Sequence, residues 1–240
     1  MAAPIAVVTG AGRRLGFEVC EALLDRGYQV VALYRSTTPE LDTLAARGAT
    51  TLAVDLARAD QVEALLTQLQ ALGPLALLVN NASEFTPDTS STAELAVAAA
   101  RLMQINAIAP LQLMAGLSDS LRHYGEQSGR PALIVNITDI FVEKPNPRFA
   151  AYCASKAALS NMTLSYARQL APYVRVNALM PGPVKFLPSH TEAQIKQVLS
   201  ETLLAREGGF QSVVMQLLAL VDNDYMTGAL IPVDGGRRLA

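Results

Sequence analysis

Short apolar runs alternate with longer amphipathic stretches along the whole chain. Runs at 5–9, 29–34, 50–54, 75–79, 132–138, 175–179 and 229–232 read as strands. Most are continuously apolar rather than alternating, the pattern of strands covered on both faces of a parallel sheet. Between them the spacing predicts helices at 14–26, 39–47, 59–71, 92–122, 151–171 and 191–221, the last broken near Gly208-Gly209. This alternation predicts an α/β fold, a doubly wound parallel sheet of about seven strands with helices on both faces. Polar loops are expected at 83–92 and 143–148, and the proline-rich stretch 181–190 reads as a loop over the site rather than a linker. Residues 1–240 read as one domain.

Composition narrows the function. Lys plus Arg is 19 and Asp plus Glu is 21, a net charge of −2. That balance leaves no basic footprint for a phosphate backbone, so nucleic-acid binding is not expected. Hydrophobic residues make up 51% of the chain. They are dispersed, and no run approaches the ~18 residues of a membrane span. Cys20 and Cys153 form no disulfide framework and have no partners at metal-ligand spacing, so no metal is expected. The N-terminal residues lack a basic n-region, and a cytoplasmic location is the expectation.

The first predicted strand ends in Thr9-Gly10-Ala11-Gly12-Arg13-Arg14-Leu15-Gly16 and runs into a helix. Glycines there permit a tight turn and close approach of a pyrophosphate to the helix N-terminus. A plain strand-to-helix turn is the ordinary alternative. The position between strand and helix, at the head of a βαβ unit, favours a Rossmann-type dinucleotide site. NAD sites usually carry an acid at the end of the second strand. This chain has Tyr34-Arg35-Ser36-Thr37-Thr38 there, with no acid before Glu40. Arg35, helped by Ser36 and Arg13, suits a 2′-phosphate, so NADPH is the expected cofactor.

Tyr152 and Lys156 stand four apart on a predicted helix and share a face. A lysine beside a phenol lowers its pKa and prepares it for proton transfer. Such a pair is usually only a surface contact; its surroundings make it informative.

The glycine motif, Asn80-Asn81-Ala82 after the fourth strand, Asn106 in Asn-Ala-Ile-Ala-Pro, Tyr152…Lys156, Pro181-Gly182 and Val233-Asp234-Gly235-Gly236 occur in order along the chain. Together they resemble the short-chain dehydrogenase/reductase family. The resemblance implies that Tyr152 donates a proton, Lys156 binds the nicotinamide ribose and Asn106 holds a proton-relay water. It also implies cofactor contacts from Gly10, Gly12, Arg13, Arg14, Leu15, Gly16, Asp55 (near the adenine), Leu56, Asn81, Ala82, Pro181 and Gly182. Helices 92–122 and 151–171 pack between subunits in that family, which implies a homotetramer.

Two departures from the family pattern carry more information. Arg14 stands where the family has a third glycine, and Asp139 stands where it has a serine, thirteen residues before Tyr152. Thr138 is no ready substitute, because neighbours at a strand end face opposite ways. A serine hydroxyl donates to a ketone oxygen, whereas an ionised aspartate only accepts. Asp139 therefore suits a substrate offering N–H donors beside the reacting bond. Its charge should also raise the pKa of Tyr152, against Lys156.

Both departures resemble the pteridine reductase branch, which includes bacterial dihydromonapterin reductases. That likeness implies NADPH-dependent reduction of 7,8-dihydropterins across a C=N bond. Phe85 would sandwich the pterin against the nicotinamide, and a flat heteroaromatic ring stacks well on phenylalanine. Arg14, Ser83, Asp139 and Tyr152 would complete the substrate contacts. The plain alternative for Phe85 is an aromatic tucked into the core. The rival functions are a carbonyl or 3-oxoacyl reductase, and a non-catalytic NADPH-binding regulator, against which the intact Tyr152, Lys156 and Asn106 speak.

Other residues take ordinary readings. Cys153 is turned about 100° from Tyr152 on the helix and reads as packing. His123 reads as a surface residue at a helix C-terminus. His190 lies in the mobile-looking 181–191 segment and reads as a loop residue, with contact to a substrate as the lesser alternative. Met103, Met114, Met162 and Met215 read as core or interface filling. Arg237-Arg238 fits either a solvated tail or an arm to a neighbouring subunit's site.

Overall fold

A computed structural model describes residues 3–240. Its sheet is formed by β1 (Ile5–Thr9), β2 (Gln29–Tyr34), β3 (Thr50–Ala53), β4 (Leu75–Asn80), β5 (Ala132–Ile137), β6 (Val174–Pro181) and β7 (Leu230–Val233). The order is β3-β2-β1-β4-β5-β6-β7, and every neighbouring pair is parallel. β4 and β5 are buried along their whole length, while β3 and β7, at the two edges, are partly open. Continuous apolar runs therefore mark the centre of the sheet, as expected for strands covered on both faces.

The covering helices are α1 (Arg14–Asp25), α2 (Pro39–Ala46), α3 (Ala59–Gln70), α4 (Thr92–Met103), α5 (Ala109–Gly116), α6 (Ser118–Ser128), α7 (Ala150–Leu170), α8 (Glu192–Ser200) and α9 (Gly209–Asp222). α1 buries Gly16, Val19, Cys20 and Leu23, a stripe spaced three or four apart against one sheet face. α3, α5 and α7 cover the other face, where Leu65, Leu113 and Leu159 are buried in one cluster. Each fully buried leucine contributes roughly 2 kcal/mol. Strand order reverses between β1 and β4, so the crevice beyond their C-terminal ends is the place where such sheets bind ligands.

One predicted helix is corrected. The stretch 92–122 is not one helix: it runs to Ser128 and is interrupted twice. A π-helical turn at Gln104–Ile108 brings Asn106 into the interior, and a second break falls at Leu117. There Gly116 lies so close to Leu66 that a Cβ would stand 2.7 Å from its methyl groups. Apolar spacing does not register one inserted residue in a helix. The stretch 191–221 is broken as expected, over 201–208, with Gly208 as the N-cap residue from which α9 starts. Between α8 and α9 the backbone bonds outward instead, Leu204 N–H to Gly235 O at 3.0 Å and Gly209 N–H to Val184 O at 2.8 Å. These bonds tie the connector to the C-terminal segment at one end and the start of α9 to Val184 at the other.

His123 is exposed but lies inside α6, not at its end. Met114 is fully buried, whereas Met215 is exposed on α9, so the core reading fails for it. Cys153 is buried between Tyr152 and Leu102, as packing requires.

Candidate active site

β5 ends one residue before Thr138, and the chain then turns into a short 3-10 segment at Ile140–Val142. Asp139 opens that turn, its Oδ1 accepting from Phe141 N–H at 2.8 Å. Its Oδ2 accepts from the Tyr152 hydroxyl at 2.8 Å. Thr138 faces elsewhere and donates to Leu179 O at 3.1 Å. Tyr152 and Lys156 sit on the first turns of α7, both buried. Lys156 Nζ donates to Ile137 O at 2.9 Å and lies 5.9 Å from the Tyr152 ring centre.

Charge and burial set the protonation states. Burial raises the Tyr152 phenol well above its ordinary value, and the charge and hydrogen bond of Asp139 push the same way; only Ser83 opposes them. The rise due to Asp139 is the direction expected from its charge. Lys156 donates to a backbone carbonyl. Its own ammonium is lowered from 10.5 to about 8 by burial, with Asp139 opposing. Burial also raises Asp139, against the pull of the Phe141 N–H, Tyr152, Lys156 and Arg237.

Asn106 is fully buried. Its Oδ1 accepts from Glu84 N–H at 2.9 Å and Ser83 Oγ at 3.2 Å. Its Nδ2 donates to Glu84 O and Ser155 Oγ, each at 3.0 Å. An amide side chain has two acceptor sites and two donors, and all four are spent. A relay water at Asn106 is therefore left only the main chain.

Phe85 follows on the same loop and is 52% exposed, which removes the buried alternative. Its ring stacks on Phe149 at 4.4 Å between centres and meets Tyr152 edge-on at 4.7 Å. A half-exposed aromatic ring thus lies beside the ring of Tyr152, whose hydroxyl is bonded to Asp139.

At the glycine turn, Gly10 has φ +66°, and a Cβ on Gly16 would stand 2.1 Å from Gly10 O. Those two positions require glycine; Gly12, with ordinary clearance, does not. No side chain caps the N-terminus of α1, and its first turn holds no acid. The unpartnered N–H groups and helix dipole make an anion site. Arg14 also has positive φ, +54°, where glycine is the usual solution. Its guanidinium donates to Lys185 O at 3.0 Å and lies over the Phe210 ring at 5.2 Å. Asn81 Nδ2 bonds Thr9 O at 2.8 Å and Gly10 O at 3.2 Å, fixing the turn from β4. Ala82 packs directly against Gly10.

Several predicted residues stand apart from the Asp139–Tyr152 centre. Arg13, Arg35 and Ser36 are exposed, and Arg35 lies 3.6 Å from Glu84. Asp55 caps its own turn through Ala57 N–H at 3.0 Å, beside buried Leu56. Leu15 is partly buried in the α1 cluster, and Gly182, after Pro181, packs on Asp234. His190 is exposed and accepts from Leu187 N–H at 3.2 Å, a local turn rather than a site contact. The terminal arginines are not a solvated tail: Arg237 pairs with Glu201 and Arg238 with Glu143, each at 3.0 Å, in their own chain. Sequence reasoning missed Phe149, Glu84 and Phe210. Each is a lone residue in a loop or helix start, with no spacing signal to mark it.

A twisted parallel sheet with this crevice, and Tyr and Lys one turn apart beside it, defines an α/β oxidoreductase-type fold. The family model for short chain dehydrogenase matches residues 4–197, and the chain belongs to that family. It is 35% identical over 237 residues to a dihydromonapterin reductase of Klebsiella pneumoniae subsp. pneumoniae, covering 97% of this chain and 96% of that protein. A dihydromonapterin reductase of Escherichia coli is 34% identical over 235 residues, with 97% and 96% covered. Among solved structures, the FolM alternative dihydrofolate reductase 1 of Brucella canis, complexed with NADP, superposes with TM-score 0.87 at 31% identity. It covers 100% of this chain and 95% of that one.

Proposed function

We propose that the protein is an NADPH-dependent reductase that converts 7,8-dihydropterins, such as dihydromonapterin and dihydrobiopterin, to tetrahydropterins. The observation that carries this reading is the Asp139 carboxylate bonded to Tyr152 at 2.8 Å, with the half-exposed Phe85 ring packed on Tyr152. A carboxylate at that place repels a ketone oxygen and accepts from ring N–H groups. The names of the relatives and the NADP in the related Brucella structure support the same reading.

The residues present fit a dinucleotide. The uncapped start of α1 and the Gly10–Gly16 turn suit a pyrophosphate, with Arg13, Arg14 and Leu15 N–H groups beside it. Arg35 and Ser36 suit a 2′-phosphate, Asp55 and Leu56 the adenine side, and Asn81, Ala82, Pro181 and Gly182 the inner channel. NADPH, when bound, supplies the hydride. Tyr152, kept protonated by burial and Asp139, holds the proton to be delivered at the ring nitrogen. Asp139 accepts from the pterin's N–H groups, and Phe85 and Ser83 orient its ring. Arg14 reaches the polar edge of the pterin, and Lys156 holds the nicotinamide ribose. Asn106 orders the Ser83–Glu84 backbone on which this geometry depends.

NADPH oxidation, followed by loss of the reduced nicotinamide's absorbance, tests this reading with dihydromonapterin, dihydrobiopterin and dihydrofolate as substrates. Turnover of at least one supports it; a folded, NADPH-saturated protein inert toward all three overturns it.

The same reading takes the chain as a cytoplasmic homotetramer. Two free cysteines suit a reducing compartment, and Val97, Ile108 and Leu164 expose apolar side chains on the α4–α7 side. Among the described residues, no helix is long and apolar enough to cross a membrane. Light scattering reads the mass directly.

A further inference from the structure

α7, the helix that carries Tyr152 and Lys156, begins without a cap of its own. Its N-cap residue is Phe149, whose side chain cannot accept a hydrogen bond. The first N–H groups of a helix need partners, and the end carries partial positive charge. Here the partner comes from elsewhere in the chain. Asp88 Oδ2 accepts from Ala150 N–H at 2.8 Å, and its Oδ1 accepts from Ala151 N–H at 3.2 Å. The Asp88 N–H also donates to Arg148 O at 2.9 Å. One residue thus makes three hydrogen bonds across to the head of α7.

Asp88 lies three residues beyond Phe85, and nothing between them forms regular structure. Phe85 stacks on Phe149, the residue immediately before the helix end that Asp88 holds. The loop is therefore fixed to α7 at two adjacent points, one polar and one aromatic. At its other end, Asn106 holds the Glu84 backbone through both N–H and carbonyl. Phe85 sits between these anchors. A half-exposed ring on a loop gains a fixed orientation only from such constraints, since burial alone does not supply it.

We propose that Asp88 is a positioning residue: its clamp on α7 holds Phe85 edge-on to Tyr152 and so sets the substrate platform against the proton donor. Its hydrogen bonds all go to the backbone at the head of α7. The kinetic arm of the test rests on the dihydropterin reading above; the spectroscopic arm does not.

The chain contains no tryptophan. A Phe85→Trp substitution therefore gives a single indole at the platform, whose emission and anisotropy report its surroundings without any substrate. Adding Asp88→Ala should shift that emission to the red, lower its anisotropy and raise acrylamide quenching, with NADPH affinity unchanged. Asp88→Asn, which keeps one acceptor for the helix end, should restore most of the signal. Unchanged emission and quenching in the Asp88→Ala background would overturn the proposal.

In the otherwise natural chain, Asp88→Ala should raise KM for the dihydropterin about tenfold with a smaller effect on kcat. In a Phe85→Ala background the same change should raise KM little further, because the platform it positions is gone. Full additivity of the two substitutions would mean that Asp88 acts independently of Phe85, and the proposal fails. If the natural chain turns over no dihydropterin, the function reading fails, and the indole measurement still decides the role of Asp88.

Discussion

The Tyr152 hydroxyl donates to Asp139 Oδ2 at 2.8 Å, thirteen positions away in sequence and across the gap between β5 and α7. Where a serine would offer a hydrogen to an incoming carbonyl oxygen, this pair offers an acceptor. Both oxygens of the carboxylate are engaged, one by Tyr152 and one by the Phe141 N–H. The pair is therefore rigid before any ligand arrives. It is a preorganised acceptor next to a protonated donor.

Replacing Asp139 by Ala should abolish dihydropterin turnover, by at least about a hundredfold, while leaving NADPH affinity within about twofold. Fluorescence titration of NADPH alongside steady-state rates checks both parts. Loss of cofactor binding would mean that Asp139 serves the cofactor instead. Asp139→Ser should gain weak reduction of simple ketones, because a donor then faces the carbonyl oxygen.

The alkaline limb of the pH profile should come from Lys156. Its buried ammonium has its pKa lowered to about 8, whereas the Tyr152 phenol is raised well above 10. The charged lysine and protonated tyrosine thus coexist below about 8, and raising the pH removes the lysine's proton first. kcat/KM, which reports the free enzyme, should therefore fall with rising pH around a midpoint of about 8. A profile flat to pH 10 would contradict this order of titration.

Arg35 lies 3.6 Å from Glu84 and is half-exposed, free to turn toward a phosphate. Arg35→Ala should weaken NADPH about ten- to a hundredfold, the loss of charge-assisted hydrogen bonds, and leave NADH nearly unaffected. Glu84→Gln, which releases Arg35 from its pair, should move NADPH affinity the other way. Titrations with both nucleotides at fixed ionic strength measure these effects.

Arg14 holds a left-handed backbone, φ +54°, that costs a non-glycine residue about 1–2 kcal/mol. Arg14→Gly should relieve that strain and raise stability by about 1 kcal/mol in urea unfolding. It should also weaken substrate and cofactor, since the guanidinium beside Phe210 and Lys185 O is lost. A variant both less stable and fully active would refute the trade.

Much of this was legible before the structure. Buried strands announce themselves as unbroken apolar runs, as β4 and β5 do. Gly10, Gly16, Tyr152 and Lys156 stand at spacings that local geometry dictates, whereas Asp139 stood out only against the pattern of the family the chain resembles. The π-helical turn around Asn106 did not show, because one extra residue in a helix leaves the apolar pattern nearly intact. Asp88 and Phe149 were illegible for another reason. Their roles arise only when a loop after β4 meets the start of α7, 62 residues away, and no local spacing encodes that meeting.

A structure of the ternary complex with NADP and a dihydropterin tests the central claim most directly. The pterin ring should stack on Phe85, between it and the nicotinamide, with its N–H groups on Asp139 and a ring nitrogen beside the Tyr152 hydroxyl. A pterin bound away from Phe85, or presenting an oxygen rather than N–H groups to Asp139, would contradict the account.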